Sequence, residues 1–179
     1  MEKTWKLDPE RAGGGALIDP GVHLLDLASL IAGGPLRPVG GAAWKGFWNT
    51  GVEEECHLLL AGQRLPVANL QVSIVRWRST FRLEVHGEDG YGIVEGRGRS
   101  YGIQTYRRGR RWGWKTAESQ AASEETVVTT SGADAFEREL DSLLRFTTDN
   151  GVAPCSASDA LVRMRLLDDC RALLGLPRS

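Results

Sequence analysis

The sequence predicts an α+β fold, in which an open-faced, mainly antiparallel (mixed) sheet of about six strands has helices packed on one of its faces. Two observations predict this class. Segments of strand length follow one another without intervening helices, and helical patterns stand before and after that run. The length of 179 residues fits one domain, which we expect to occupy residues 1–179.

The first helix is predicted from Asp19 to about Ala32. Asp19 followed by Pro20 is typical of an N-cap and a first helical position, because the carboxylate accepts bonds from free backbone N–H groups and proline has none to leave free. Apolar residues then recur at helical spacing, namely Val22, Leu25, Ala28 and Ile31. The stretch GGPLRP ends this helix.

Strand-length segments fill the region from Val39 to about Thr130. Apolar and polar residues alternate most clearly in 70–75 and 81–86. The stretch HGEDGYG, between two segments, is rich in residues that tolerate a positive φ, so it predicts a hairpin turn. The segments are VGGAAWKGFW, EECHLLLAG, LPVANLQVSIVRW, TFRLEVHG, GYGIVEG, YGIQTYRRG and ETVVTT.

Helices return at the end of the chain. Ser156 followed by Asp159 resembles a capping box at the start of the last helix. The apolar face of the preceding helix consists of Phe136, Leu140, Leu143 and Leu144, and that of the last helix of Leu161, Met164, Leu167 and Leu174.

Composition excludes several classes of function. The formal net charge of -1 gives no reason to expect a polyanionic partner or an acidic membrane surface. Apolar runs stay short of the ~18 residues of a membrane span, and the polar N-terminus lacks the apolar core of a signal peptide. The three cysteines are far apart, which fits reduced thiols. We therefore expect a cytoplasmic protein without membrane contact.

Two further patterns have simpler explanations. The stretch YRRGRRWGWK, residues 106–115, mixes cations with aromatic rings that could bind nucleic acid, but solvated arginines at a hairpin tip have the same composition. Cys56 and His57 are adjacent and would point to opposite faces of a strand, so they do not form a metal site together. We expect neither nucleic-acid binding nor a metal.

The stretch GGGALIDPGVHLLDL, residues 13–27, contains the candidate chemistry. Asp19 and His23 are four residues apart, which places both side chains on one face of a helix. The helix dipole disfavours a protonated imidazole near the N-terminus, so His23 could act as a base, a role worth roughly 10²–10⁴-fold in rate. The three glycines allow the backbone to approach a ligand closely.

A simpler interpretation of the same residues is open on the pattern alone. Aspartate is a common N-cap residue, and a histidine in the first turn of a helix is often an incidental polar side chain. On this interpretation Asp19 only caps the helix and His23 has no chemical role.

A longer stretch, WKLDPERAGGGALIDPGVHLLDL, resembles the signature of the C-terminal domain of the glucose-fructose oxidoreductase/inositol dehydrogenase (Gfo/Idh/MocA) family. The similarity continues in the same order through EVHGEDGYGIVEG and through FERELDSLLRFTTDNGVAPCSASDALVRMRLLDDCRALL. The resemblance implies an open-faced sheet with helices on one side, the other face often serving subunit association. It also implies the substrate side of an NAD(P)-dependent dehydrogenase acting on a sugar, an inositol or a related polyol.

The resemblance also implies roles for individual residues. His23 matches the family's histidine, which takes the hydroxyl proton as hydride leaves the same carbon. Asp19 would bind substrate or orient His23, and Arg11 would contact substrate or cofactor. Gly14 and Gly15 would pass close to the sugar and the nicotinamide.

The glycine-rich turn and the lysine of the family's N-terminal Rossmann domain have no counterpart in the sequence. Hydride transfer needs cofactor and substrate held in contact, so we expect NAD or NADP to bind in the full-length enzyme and not to this chain alone. The isolated chain should be inactive without a Rossmann domain or subunit. The alternative is a non-catalytic carbohydrate-binding or assembly module. Both hypotheses predict a homo-oligomer formed through the open sheet face.

Overall fold

The computed structural model describes residues 5–63, 67–110, 125–130, 134–148 and 155–177. The chain divides into two compact units, Met1–Arg76 with Cys155–Ser179, and Trp77–Pro154. The two units are described separately below, and the expectation of one domain over residues 1–179 stays a prediction.

The elements follow the predicted order. The helices are α1 (Pro9–Ala12), α2 (Val22–Ala32), α3 (Ala135–Thr148) and α4 (Ala157–Leu173), with a π-helical turn at Leu17–Gly21. The strands are β1 (Arg37–Trp44), β2 (Glu55–Ala61), β3 (Val67–Ser73), β4 (Arg82–His86), β5 (Gly90–Glu95), β6 (Gln104–Arg110) and β7 (Glu125–Thr130).

The α+β class and the antiparallel pairing are confirmed. The described strands form two sheets instead of one, with the orders β1-β2-β3 and β4-β5-β6-β7. The physical reason lies between β3 and β4, where residues 76–80 are all exposed and polar or aromatic, and where the alternation of the flanking strands is lost. Residues 74–81, all of them described, form no strand.

The first unit places its helices on one face of its sheet. β2 alternates, so that Cys56, Leu58 and Leu60 point to the same side and are buried. α2 and α4 pack on that side, and they contribute Leu25 and Leu167, both 0% exposed, to one hydrophobic core. Helices on one face were predicted, and this unit has them.

The other face of the same sheet is open. Glu55 and His57 are half-buried there, while Leu59 is exposed. The Trp44 ring, also exposed, meets the His57 ring edge-on with centroids 5.5 Å apart. Two hydrogen bonds keep the pKa of the Glu55 carboxyl below its usual value. The bond from Gln71 has the larger effect and the bond with His57 the smaller. This face therefore combines an ionised carboxylate with exposed apolar side chains.

The second unit consists of the four-stranded sheet and α3. The predicted hairpin turn is confirmed between β4 and β5, where the Gly87 N–H donates to the Gly90 carbonyl at 2.8 Å. Ion pairs cross the strands, as in Arg107 to Glu95 at 2.7 Å. Of the stretch 106–115, residues 111–115 lie outside the described ranges, and the expectation of no nucleic-acid binding stays a prediction.

The capping box predicted at the start of α4 is confirmed. The Asp159 N–H donates to Ser156 Oγ at 3.1 Å and the Ser156 N–H donates to Asp159 Oδ2 at 2.9 Å, which is the reciprocal capping box at the start of α4. All three cysteines are free. Burial raises the pKa of Cys56 and of Cys170 to about 12, so both are inert core residues, whereas Cys155 is exposed.

The segment Pro9–Ala32 is long and apolar enough to cross a membrane by length and composition alone, with a mean hydropathy of 1.3. Of its most apolar 18-residue window 33% is buried, and Ala16, Leu17 and Leu25 from this segment belong to the hydrophobic core. Its helical path is also broken at Gly13, where φ is +72°. The structure thus uses this segment as part of the core of the first unit.

Candidate functional site

The helix that carries the candidate residues begins differently from the prediction. Asp19 is not its N-cap, which is a correction. The helical path starts at Ala16 and runs through the π-helical turn into α2, so Asp19 lies inside the path. Its own backbone N–H donates to the Gly15 carbonyl at 3.2 Å.

Glu53 does the capping instead, from just before β2. Its Oε1 accepts the N–H of Gly15 at 2.9 Å and the N–H of Leu17 at 3.1 Å, and its backbone carbonyl accepts the N–H of Ala16 at 2.8 Å. The side chain of Glu53 is buried, with 5% of the residue exposed. The free N–H groups at this helix start are thus satisfied by a residue distant in the sequence.

The glycines of the loop have a structural reason for being glycine. A Cβ on Gly15 would lie 1.9 Å from the Glu53 carbonyl oxygen, and a Cβ on Gly14 would lie 3.1 Å from Arg171 Nη1. Gly13 adopts a φ of +72°, which favours glycine. In this structure the glycines bring the loop close to Glu53 and Arg171, and the predicted close approach to a ligand stays a prediction.

Arg171, in the last turn of α4, holds the other side of the loop. It is 3% exposed, its Nη2 donates to the Gly13 carbonyl at 2.7 Å, and its Nε donates to the Pro177 carbonyl. Its Nη1 has no hydrogen-bond partner within the part of the chain that the structure describes. Sequence analysis missed both Glu53 and Arg171, because nothing local distinguishes either from a solvated surface charge.

The Asp19 carboxylate caps no helix in this structure and is bound by Lys6 instead. Lys6 Nζ donates to both carboxylate oxygens, at 2.9 and 3.1 Å, and the two side chains are 53% and 55% exposed. Lys6 is a third residue that sequence analysis missed, although it lies in the WKLDPE stretch that carries the resemblance. The candidate site thus includes a cation beside its carboxylate.

His23 is exposed at the start of α2, four residues after Asp19. Its ring makes no hydrogen bond to the described residues, so both ring nitrogens are available to a ligand. Arg11, on α1, is also exposed. The structure therefore brings Asp19, His23 and Lys6 to the same helix start, while the contact predicted for Arg11 stays a prediction.

The loop itself does not fit the phosphates of a dinucleotide. Backbone N–H groups at a helix start bind anions when they are free, and here the N–H groups of Gly15, Ala16 and Leu17 are all bonded to Glu53. Whether Gly14 and Gly15 pass close to a nicotinamide held elsewhere stays a prediction. Among the described residues no group of three or more His, Cys, Asp or Glu side chains could hold a metal ion.

Comparison with known proteins gives a family. The model of the GFO/IDH/MocA C-terminal domain matches residues 1–92, more than half of the 179 residues. No curated protein matches the sequence.

Solved structures share the fold. Levoglucosan dehydrogenase in complex with NADH and levoglucosan aligns with a TM-score of 0.74 and 16% identity, over 96% of this chain and 51% of that one. KijD10, a 3-ketoreductase from Actinomadura kijaniata, aligns with a TM-score of 0.72 and 19% identity, over 97% and 50%. Aldose-aldose oxidoreductase from Caulobacter crescentus aligns with a TM-score of 0.70 and 19% identity, over 96% of this chain and 48% of that one. The chain spans about half the length of these proteins. It belongs to the GFO/IDH/MocA family and has the fold of the family's C-terminal domain.

Proposed function

We propose that the chain is the substrate-binding and oligomerisation part of an NAD(P)-dependent oxidoreductase that acts on a sugar, an inositol or a related polyol. Its cofactor would be held by a separate Rossmann domain or subunit, and that cofactor would accept the hydride. This chain would contribute the base and the substrate contacts.

One observation carries the proposal. The simpler interpretation gave Asp19 the work of an N-cap, and in the structure Glu53 does that work instead. The Asp19 carboxylate is exposed and bound by Lys6, four residues before an exposed His23. A carboxylate, a cation and an imidazole around one helix start form a set that can bind and deprotonate a hydroxyl group.

Each residue has a role that follows from its chemistry. His23 takes the proton of the hydroxyl group whose carbon loses hydride, and its exposed ring nitrogens permit direct contact. Asp19 accepts hydrogen bonds from substrate hydroxyl groups, and Lys6 fixes its carboxylate. Arg11 is proposed as a further contact to substrate or cofactor, and Gly14 and Gly15 as backbone that passes near the nicotinamide.

Polyol binding to the chain tests the proposal. The sequence has three histidines, His23, His57 and His86, so their imidazole signals are readily assigned in ¹³C-labelled protein. We expect titration with levoglucosan, myo-inositol or D-glucose to shift the His23 signals saturably and to leave His57 and His86 unchanged. NADH alone should leave all three unchanged. Asp19→Asn should weaken polyol binding about tenfold, because a charged hydrogen-bond acceptor is lost.

His86→Ala is the matched control, because His86 is an exposed histidine in the other unit, and it should bind the polyol as the wild type does. The catalytic assignment is contradicted if none of the three polyols moves the His23 signals, or if Asp19→Asn binds as tightly as the wild type.

The oligomer would form through the open face of the first sheet. Leu59 at its centre is 41% exposed, and Trp44 and Val67 on the neighbouring strands are 56% and 61% exposed. We expect light scattering to give an oligomer at micromolar concentration and Leu59→Asp to give a monomer, because the charge would be buried unpaired. Leu161→Asp, on the exposed part of α4, is the control that should leave the oligomer intact. A monomeric wild type contradicts this part of the proposal.

The alternative function is a carbohydrate-binding or assembly module without catalysis. It also predicts polyol binding and an oligomer. It differs in its prediction for the enzyme reconstituted with a Rossmann partner, where His23→Ala would leave NAD(P)-linked turnover at the wild-type level.

A further inference from the structure

We propose that Glu53 and Arg171 are the positioning residues of the candidate site, holding the glycine loop from its two sides so that Asp19 and His23 face the substrate together. The inference rests on the proposed function and extends it to two buried residues outside the set of proposed substrate contacts.

The first argument is that the charges of Glu53 and Arg171 bind the loop backbone and not each other. Glu53 and Arg171 both border the same position, since a Cβ on Gly14 would lie 3.5 Å from Glu53 Oε1 and 3.1 Å from Arg171 Nη1. Buried opposite charges that border the same residue often form an ion pair with each other. Among the described residues they form none, and each binds the loop backbone instead.

The second argument is that each charge binds backbone groups of the opposite polarity in the loop. The anion binds the N–H groups of Gly15 and Leu17, and the cation binds the Gly13 carbonyl. Both charges therefore act on the loop backbone from opposite ends, as a role in fixing the loop requires.

The third argument is the connection to the site. Glu53 holds the Gly15 N–H, and the Gly15 carbonyl accepts the N–H of Asp19 at 3.2 Å. A shift of Gly15 is therefore passed to Asp19 through one further hydrogen bond. His23 follows on the next turn of the same helical path, so it moves with the loop.

The test uses substitutions that change either the length of the side chain or its charge, but not both. Glu53→Asp keeps the charge but shortens the side chain, so it should lose its bonds to Gly15 and Leu17. Glu53→Gln keeps an acceptor oxygen at the same reach and should rescue the site. Arg171→Lys retains a buried cation and loses the planar fork that reaches Gly13. Glu88→Gln and Arg165→Lys are matched controls, because both residues are exposed.

Amide exchange and polyol binding are measured on each variant. Glu53→Asp and Arg171→Lys should speed exchange of the Gly15 and Leu17 amides about tenfold or more, while the β2 amides of Leu58 and Leu60 keep their rates. Both variants should weaken the polyol-induced shift of the His23 signals about tenfold, and Glu53→Gln should stay within about threefold of the wild type. The local exchange and the rescue by glutamine distinguish positioning from general destabilisation.

The possible failures are distinct. A wild-type chain that binds no polyol overturns the proposed function and this inference with it. Polyol binding that is intact in Glu53→Asp and Arg171→Lys overturns the inference alone, whatever the exchange rates. If Glu53→Asp does not fold, Arg171→Lys with its control decides in the same way.

Discussion

Gly15→Ala is expected to lower the free energy of unfolding by about 3 kcal/mol. The added Cβ would lie 1.9 Å from the Glu53 carbonyl oxygen and 2.9 Å from its carbonyl carbon. These are backbone atoms next to β2, so they cannot rotate away as the end of a side chain could. Either the loop or the strand must move, and the bond from the Ala16 N–H to Glu53 is lost in both cases. Urea unfolding followed by tryptophan fluorescence measures the change.

Gly34→Ala is the control for this prediction. A Cβ on Gly34 would meet no atom within 4 Å, and its φ lies outside the left-handed region. We expect its free energy of unfolding to stay within about 0.5 kcal/mol of the wild type. Equal losses in the two variants would mean that Gly15 is not in contact with Glu53.

Glu54→Ala is the second substitution with a large expected effect, again about 3 kcal/mol. Glu54 is 1% exposed, and its carboxylate accepts the N–H of Phe47 at 2.7 Å and the N–H of Trp48 at 2.9 Å, with the Thr50 hydroxyl at 3.3 Å. Alanine would remove these three hydrogen bonds from a buried position. The Trp48 indole N–H also donates to the Ile74 carbonyl at 3.1 Å. Since the loss of Glu54 should shift the backbone of Trp48 and disturb this bond, the variant should also change the tryptophan emission of the folded protein.

Glu55→Ala, one residue further, is the matched control. Glu55 lies half-buried on the open sheet face, and among the described residues its carboxylate bonds only side chains, those of Gln71, His57 and Ser73. The loss should be below about 1 kcal/mol, as for exposed ion pairs. Similar losses for Glu54 and Glu55 would contradict the assignment of Glu54 as the residue that holds the loop after β1.

The strands and the order of elements could be predicted because their signals are local. β3 and β4 alternate between apolar and polar residues, and a short glycine-rich stretch predicts the hairpin turn between β4 and β5. The capping box of α4 has its two partners three residues apart. Each of these features needs only neighbours in the sequence.

The start of the site helix could not be predicted from neighbours. The dipeptide Asp-Pro occurs at Asp8-Pro9 and at Asp19-Pro20, and the N-cap role was predicted only for the second. In the structure the first has that role, with Asp8 accepting the Glu10 N–H at 3.1 Å. The second is displaced by Glu53, which is 38 residues beyond Gly15 in the chain. A competition between two carboxylates for one set of N–H groups is decided by tertiary structure.

The three consecutive glutamates at 53–55 show the same limit. As a sequence they are a run of acidic charge, which is typical of a solvated turn. In the structure Glu53 holds the glycine loop, Glu54 holds the loop that follows β1, and Glu55 lies on the open face. Successive side chains that point in different directions reach three separate places, and no local pattern indicates which.

The bond between Arg171 and Gly13 joins residues 158 positions apart. One side of the glycine loop before Asp19 and His23 is thus held by the last turn of α4, which belongs to the same unit but follows the whole second unit in the chain. A fragment that ends before α4 keeps the whole motif and lacks this contact. The loop can therefore take its described form only after α4 has packed onto the first unit.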